Sequence, residues 1–154
     1  MFFKSSAVFG SLILSSASLA GAAPARLNAR QSGDLDCNIA RVKVVGNVLE
    51  AARTARNLTQ DLACDQTATA LLANVTTNII QTEDAIADIV LAVFNNQTAP
   101  SDSRQKVADG LTFAFEAASN ITSPSTNVMD KVNQLKNELL LAGSAGNDVL
   151  TQCV

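Results

Sequence analysis

The sequence predicts an all-α protein, an antiparallel up-down four-helix bundle with a short C-terminal helical turn, on three observations. Beyond residue 31, apolar residues recur three and four apart through most of the chain, which is the period of one helix face. The period-two alternation of a half-buried strand is absent. Proline and glycine are sparse and gather where connections belong. Four amphipathic segments joined by short loops stack antiparallel, because none buries its stripe alone.

The elements follow in order. Residues 1–22 read as a secretory signal peptide: Lys4, an uncharged stretch from Ser5 to Ala20 carrying Val8, Phe9, Leu12, Ile13, Leu14 and Leu19, then small residues. Ser18-Leu19-Ala20 and Ala20-Gly21-Ala22 both satisfy a small-x-small rule, so the cut is expected after Ala20 or Ala22. The stretch is serine-rich and shorter than the roughly 20 apolar residues of a bilayer span, and no transmembrane anchor is expected. Residues 23–33 form a flexible leader or a propeptide trimmed after Arg30. Residues 34–154 are the helical bundle domain.

The first helix is expected from about Leu35 to Leu62, with Ile39, Val42, Val45, Leu49 and Ala52 as its inner stripe and Ser32 or Asp34 as cap. The second runs from about Thr67 to Phe94, with Leu72, Val75, Ile79, Ile86, Val90 and Val93 inside and a bend possible at Gln81-Thr82-Glu83. Pro100-Ser101-Asp102 opens a third, carrying Val107, Leu111, Ala114, Ala118 and Ile121. Ser123-Pro124-Ser125 closes it and starts a fourth with Val128, Val132, Leu135 and Leu139. Gly143-Ser144-Ala145-Gly146 is expected to break that helix, leaving a last turn near Asp148 to Gln152.

Charge narrows the partners. Without Lys4, Arg26 and Arg30, a chain of 11 Lys and Arg against 14 Asp and Glu carries a net charge of −6. Nucleic acid is therefore excluded as a partner, since backbone binding runs on clustered cations. From Asn57 to Ser103 there is no lysine or arginine, so the second helix has an acidic outer face. A solvated surface is the plain reading; a cation site at Glu83, Asp84 and Asp88 would lack the loop of a calcium hand. Asn57, Asn74, Asn96 and Asn120 each head an Asn-x-Thr sequon, candidates for N-glycosylation if the chain is exported.

Three cysteines remain after the leader, Cys37, Cys64 and Cys153. Cys37 and Cys64 bracket the first helix and would lie roughly 40 Å apart, beyond the about 7 Å a disulfide tolerates. In an up-down-up-down bundle the fourth helix returns to where the first began, which predicts Cys37–Cys153. Cys64 is then left over, a buried free thiol or a handle for an intermolecular bond.

Catalysis is not expected. The chain has no histidine, tryptophan or tyrosine, which removes the usual general base, metal ligand and nucleophile partner. No Walker loop, nucleophile elbow or Cys-x-x-Cys is present, and no cofactor or metal is implied. Paired carboxylates of a glycosidase would lack aromatic platforms, with only Phe94, Phe113 and Phe115 beyond the leader. Phe113 and Phe115, two apart on a helix, cannot both face the same way; either both pack at helix–helix seams, or one marks an apolar surface patch or cavity mouth. Gly46 and Gly110 inside helices mark close helix approaches, or points where the bundle opens.

The signal peptide, the Ala-Pro-Ala-Arg-Leu-Asn-Ala-Arg-Gln leader at 23–31, the sequons and an Ala/Val/Leu/Thr-rich helical body are similar to those of fungal small secreted proteins. Among these the chain resembles, across residues 1–154 and in architecture rather than motif, the hydrophobic-surface-binding, galactomannoprotein-like cell-wall family. That resemblance implies a helical domain adsorbing to apolar surfaces or lipids. The three cysteines depart from the family's pattern, so no functional residue is carried over. The expected role is that of a non-enzymatic secreted protein, extracellular or at the cell wall, binding an apolar small molecule or hydrophobic surface. The alternative is a secreted effector acting through a protein partner on a host or competitor. An interior void lined by Leu, Ile, Val and Phe would favour the first.

Overall fold

The computed structural model describes residues 35–153. The expected signal peptide, the leader and the Ser32 or Asp34 cap lie outside these residues. Four helices make up the fold: α1 Leu35–Asp61, α2 Gln66–Phe94, α3 Ser101–Ser119 and α4 Thr126–Gln152. Among the described residues there is no strand. The all-α four-helix bundle stands as the sequence predicts.

The bundle is built of two close pairs, α1 with α4 and α2 with α3. The face that α1 turns inward is not the expected one. Cys37, Ala40, Val44, Val48, Ala51, Ala55 and Leu58 are buried, while Ile39, Val42, Val45 and Leu49 are exposed, Val42 to 71%. The buried face carries Ala40, Ala51 and Ala55 beside Val44, Val48 and Leu58, and the row of larger side chains expected inside is left outside. Counting hydrophobicity alone picks the wrong stripe, since alanine registers weakly.

The second pair owes its closeness to Gly110. A Cβ at that position would stand 2.2 Å from Thr82 Oγ1 and 3.1 Å from the Asn78 carbonyl, so only glycine allows α3 to rest there against α2. Thr82 is fully buried and its hydroxyl donates to the Asn78 carbonyl at 2.8 Å, so α2 passes through the expected bend site as one helix. Gly46 has nothing within 4 Å of its notional Cβ and marks no close approach.

Each helix end has its own chemistry. Asp65 caps α2, its carboxylate accepting from the Ala68 amide at 2.9 Å. At the other end of α2 the Gln97 amide donates to the Ala92 carbonyl and the Asn96 amide to the Val93 carbonyl, with Asn96 at φ 54°. That is a Schellman ending with asparagine in the left-handed position. The α4 helix runs unbroken through Gly143 and Gly146 to Gln152, so the expected final turn is the tail of the fourth helix itself. Tertiary packing overrides the glycine cost of about 1 kcal/mol each.

Thr54 and Asp61 of α1 make polar links to α4. The Glu138 carboxylate, buried between them, accepts from the Thr54 hydroxyl at 3.1 Å and the Gln134 amide at 2.8 Å. Lys131 reaches Asp61 at 2.6 Å.

Candidate functional site

The two pairs meet fully at one end of the bundle only. At the end closed by the short connections after α1 and after α3, Leu58, Leu62, Leu72, Val75, Ala118, Ile121, Val132 and Leu135 form a dense core. Toward the other end, where α1 begins and α4 finishes, the pairs stand apart and a cleft of about 1050 Å³ lies between them. All four helices line it.

Its floor and walls are apolar: Val44 from α1; Ile86, Ile89 and Val93 from α2; Val107, Leu111 and Phe115 from α3; Leu139 and Val149 from α4. Val90, expected inside, is 41% exposed because it stands in this opening rather than in a filled core. Phe94 at the mouth is 81% exposed. Of the two phenylalanines on α3, Phe115 is half-buried in the cleft with Lys136 lying over its ring at 5.9 Å from the centroid. Phe113 faces outward.

The polar part of the lining is sparse. Asn38, Arg41, Asn96, Arg104, Thr112, Ser144 and Asn147 are its hydrogen-bonding side chains. Arg41 and Arg104 are the charged residues of the lining, and Arg41 donates to the Asn38 side-chain oxygen at 3.4 Å. In an acidic chain that is a selective arrangement: an Arg guanidinium keeps its charge and offers five donors to a carboxylate or phosphate. Gly143 and Gly146 also line the cleft, with nothing within 4 Å of either notional Cβ, so their missing side chains widen it.

The cysteines fall as the topology requires. Cys37 and Cys153 form a disulfide with Cα atoms 4.9 Å apart, closing the α1–α4 pair beside the cleft. Cys64 is free and exposed in the connection at the opposite end, and so is not the buried thiol expected. Asn57, Asn74, Asn96 and Asn120 are all exposed. The first two and Asn120 lie in the closed half, whereas Asn96 stands on the cleft mouth.

Asp88, one of the three acidic residues weighed as a cation site, accepts from the Ser103 hydroxyl at 3.4 Å. No group of three potential metal ligands is gathered among the described residues, and none of their helices is long and apolar enough to cross a membrane. Nothing in the sequence pointed to the cleft residues as a set. The one available signal was the pair of glycines on α4, which read as a helix break.

No family model, curated protein or solved structure matches this chain.

Proposed function

We propose that the chain is a non-enzymatic secreted protein that holds an amphipathic molecule with a single apolar chain in the cleft between its helix pairs. The observation that carries this reading is the cleft itself. Its roughly 1050 Å³ sits at the upper end of the about 300–1,000 Å³ typical of small-molecule sites, which combine apolar walls with a few polar groups. Ile86, Val93, Leu111, Phe115 and Leu139 receive the chain, and Arg104 favours an anionic head group. The signal-peptide pattern at residues 1–22 and the disulfide support an oxidising, extracellular setting, with the exposed sequons as glycan sites. A cell-wall location fits the same reading.

The oxidised domain should bind a fluorescent anilinonaphthalene sulfonate saturably at one site. Hexadecanoate should displace it more effectively than hexadecanol, and Ala108→Trp, which fills the cleft from α3, should abolish the signal without lowering stability. Absence of saturable binding by the oxidised wild type overturns the proposal.

A second reading, contact with a host or competitor protein, draws on the exposed row Leu35, Ile39, Val42 and Leu49 of α1. Replacing Ile39 and Val42 by serine separates the two: probe binding should survive, and any protein capture should not.

A further inference from the structure

We infer that the cleft loads by a hinged parting of the two helix pairs about the closed end of the bundle, in the manner of a clothes-peg. The inference rests on reading the cleft as a ligand site, but its evidence is topological.

Every covalent path between the pairs lies at one end. The chain passes from the α1–α4 pair to the α2–α3 pair at residues 62–65 and returns at residues 120–125, and both connections are at the closed end. At the cleft end, the two covalent links each stay within one pair. The turn at residues 95–100 joins α2 to α3, and Cys37–Cys153 joins α1 to α4. The disulfide therefore does not lock the cleft. It ties the two helices of one jaw and makes no covalent link to the other.

Several non-covalent contacts follow the same division. Within the jaws lie the Gly110–Thr82 approach, the Ser103–Asp88 hydrogen bond beside the cleft, and the Thr54–Glu138–Gln134 group. Between the jaws the large buried side chains concentrate at the closed end, where Leu58, Val75, Ile121 and Leu135 meet. Lys136 over Phe115 ties the jaws at the cleft floor. Packed cores resist deformation while sparsely packed regions open at low cost, so the core is the hinge. A helix of 27 residues is about 40 Å long, and a rotation of a few degrees at the hinge moves its far end by several ångströms. Such a motion changes the mouth and leaves each jaw intact.

The test uses the oxidised domain in a Cys64→Ser background, with spin labels on exposed positions outside the cleft lining. One pair spans the jaws at the mouth, Lys43→Cys with Leu91→Cys. A second spans them at the closed end, Gln60→Cys with Thr67→Cys. A third lies within one jaw, Lys43→Cys with Thr151→Cys. Electron–electron resonance distances are recorded with and without hexadecanoate. The mouth pair should give a broad distribution that narrows and shifts by several ångströms on loading, while the other two stay narrow and unmoved. Narrow, ligand-insensitive distances at all three while hexadecanoate binds would overturn the hinge and leave the ligand site standing. A broad mouth distribution without hexadecanoate binding would overturn the ligand reading and leave the hinge.

Discussion

The two halves of this bundle use the same four helices to opposite ends. In the closed half, leucine, isoleucine and valine from all four helices fill the space between the pairs, and Leu135 and Leu58 have no exposed surface. In the cleft half, side chains of the same kinds, Val90, Leu140 and Leu150, remain half-exposed around an opening. The filled core is therefore concentrated in the closed half, and open apolar surface in the other. The exposed large apolar residues gather in the cleft half too, with Leu35, Ile39, Val42, Val45, Leu91 and Phe94 near its end and few beyond the middle.

The largest expected effect tests whether the open half leans on its cross-link. Replacing Cys37 and Cys153 by alanine opens a loop spanning 116 residues, and should lower stability by up to about 4–5 kcal/mol in the chain-entropy model. Urea unfolding of the oxidised wild type against the double variant measures it. A loss under 1 kcal/mol would mean that the closed half alone sets global stability.

Next comes a matched pair of truncations. Leu135→Ala, in the filled core, should cost about 2–5 kcal/mol. Leu150→Ala, on the cleft, should cost under about 1 kcal/mol, because its side chain is already half in water. Equal losses would break the division between the halves.

Glycines offer a contrast of sign. Gly110→Ala drives a methyl group into Thr82 and should destabilise by about 1–3 kcal/mol, with partial recovery in the Gly110→Ala, Thr82→Ala double variant. Gly143→Ala meets open space and should instead stabilise α4 by up to about 1 kcal/mol, while weakening probe binding in the narrowed cleft. The smallest effect belongs to the turn at the mouth: Asn96→Gly should gain a few tenths of a kcal/mol or stay neutral, and Asn96→Val should lose about 1 kcal/mol, since a branched residue is strained at positive φ.

The same division explains what was legible in the sequence. The inner stripe of α4, Val128, Val132, Leu135 and Leu139, runs from the filled half to the cleft wall and is buried as its spacing predicts. So are Leu111, Ala114, Ala118 and Ile121, and the cysteine pairing followed from topology alone. The stripe of α1 was misread because its buried face is rich in alanine, which a count of large apolar residues passes over. The far end of α2 was read as core because Ile86, Val90 and Val93 continue a helical period, and periodicity reports which face is apolar but not whether a partner fills the space opposite. Gly143 and Gly146 are the clearest case: as isolated letters they signal a break, and only the helices around them make them the wall of a cleft.

The pairing of first helix with last also sets the order in which the molecule comes together. The α2–α3 pair is local in sequence, closed by a six-residue turn at 95–100, and needs only residues 66–119 to form. The α1–α4 pair must wait until α4 has been made, since Cys37 pairs with Cys153 across 116 residues. Until then Cys37 has Cys64 as its only possible partner in the chain, and the early growth of α1 as a straight helix is what holds those two sulfurs apart. Helix formation takes microseconds or less, whereas thiol exchange takes seconds to hours. The first helix therefore acts as a spacer that protects the correct disulfide before its partner exists.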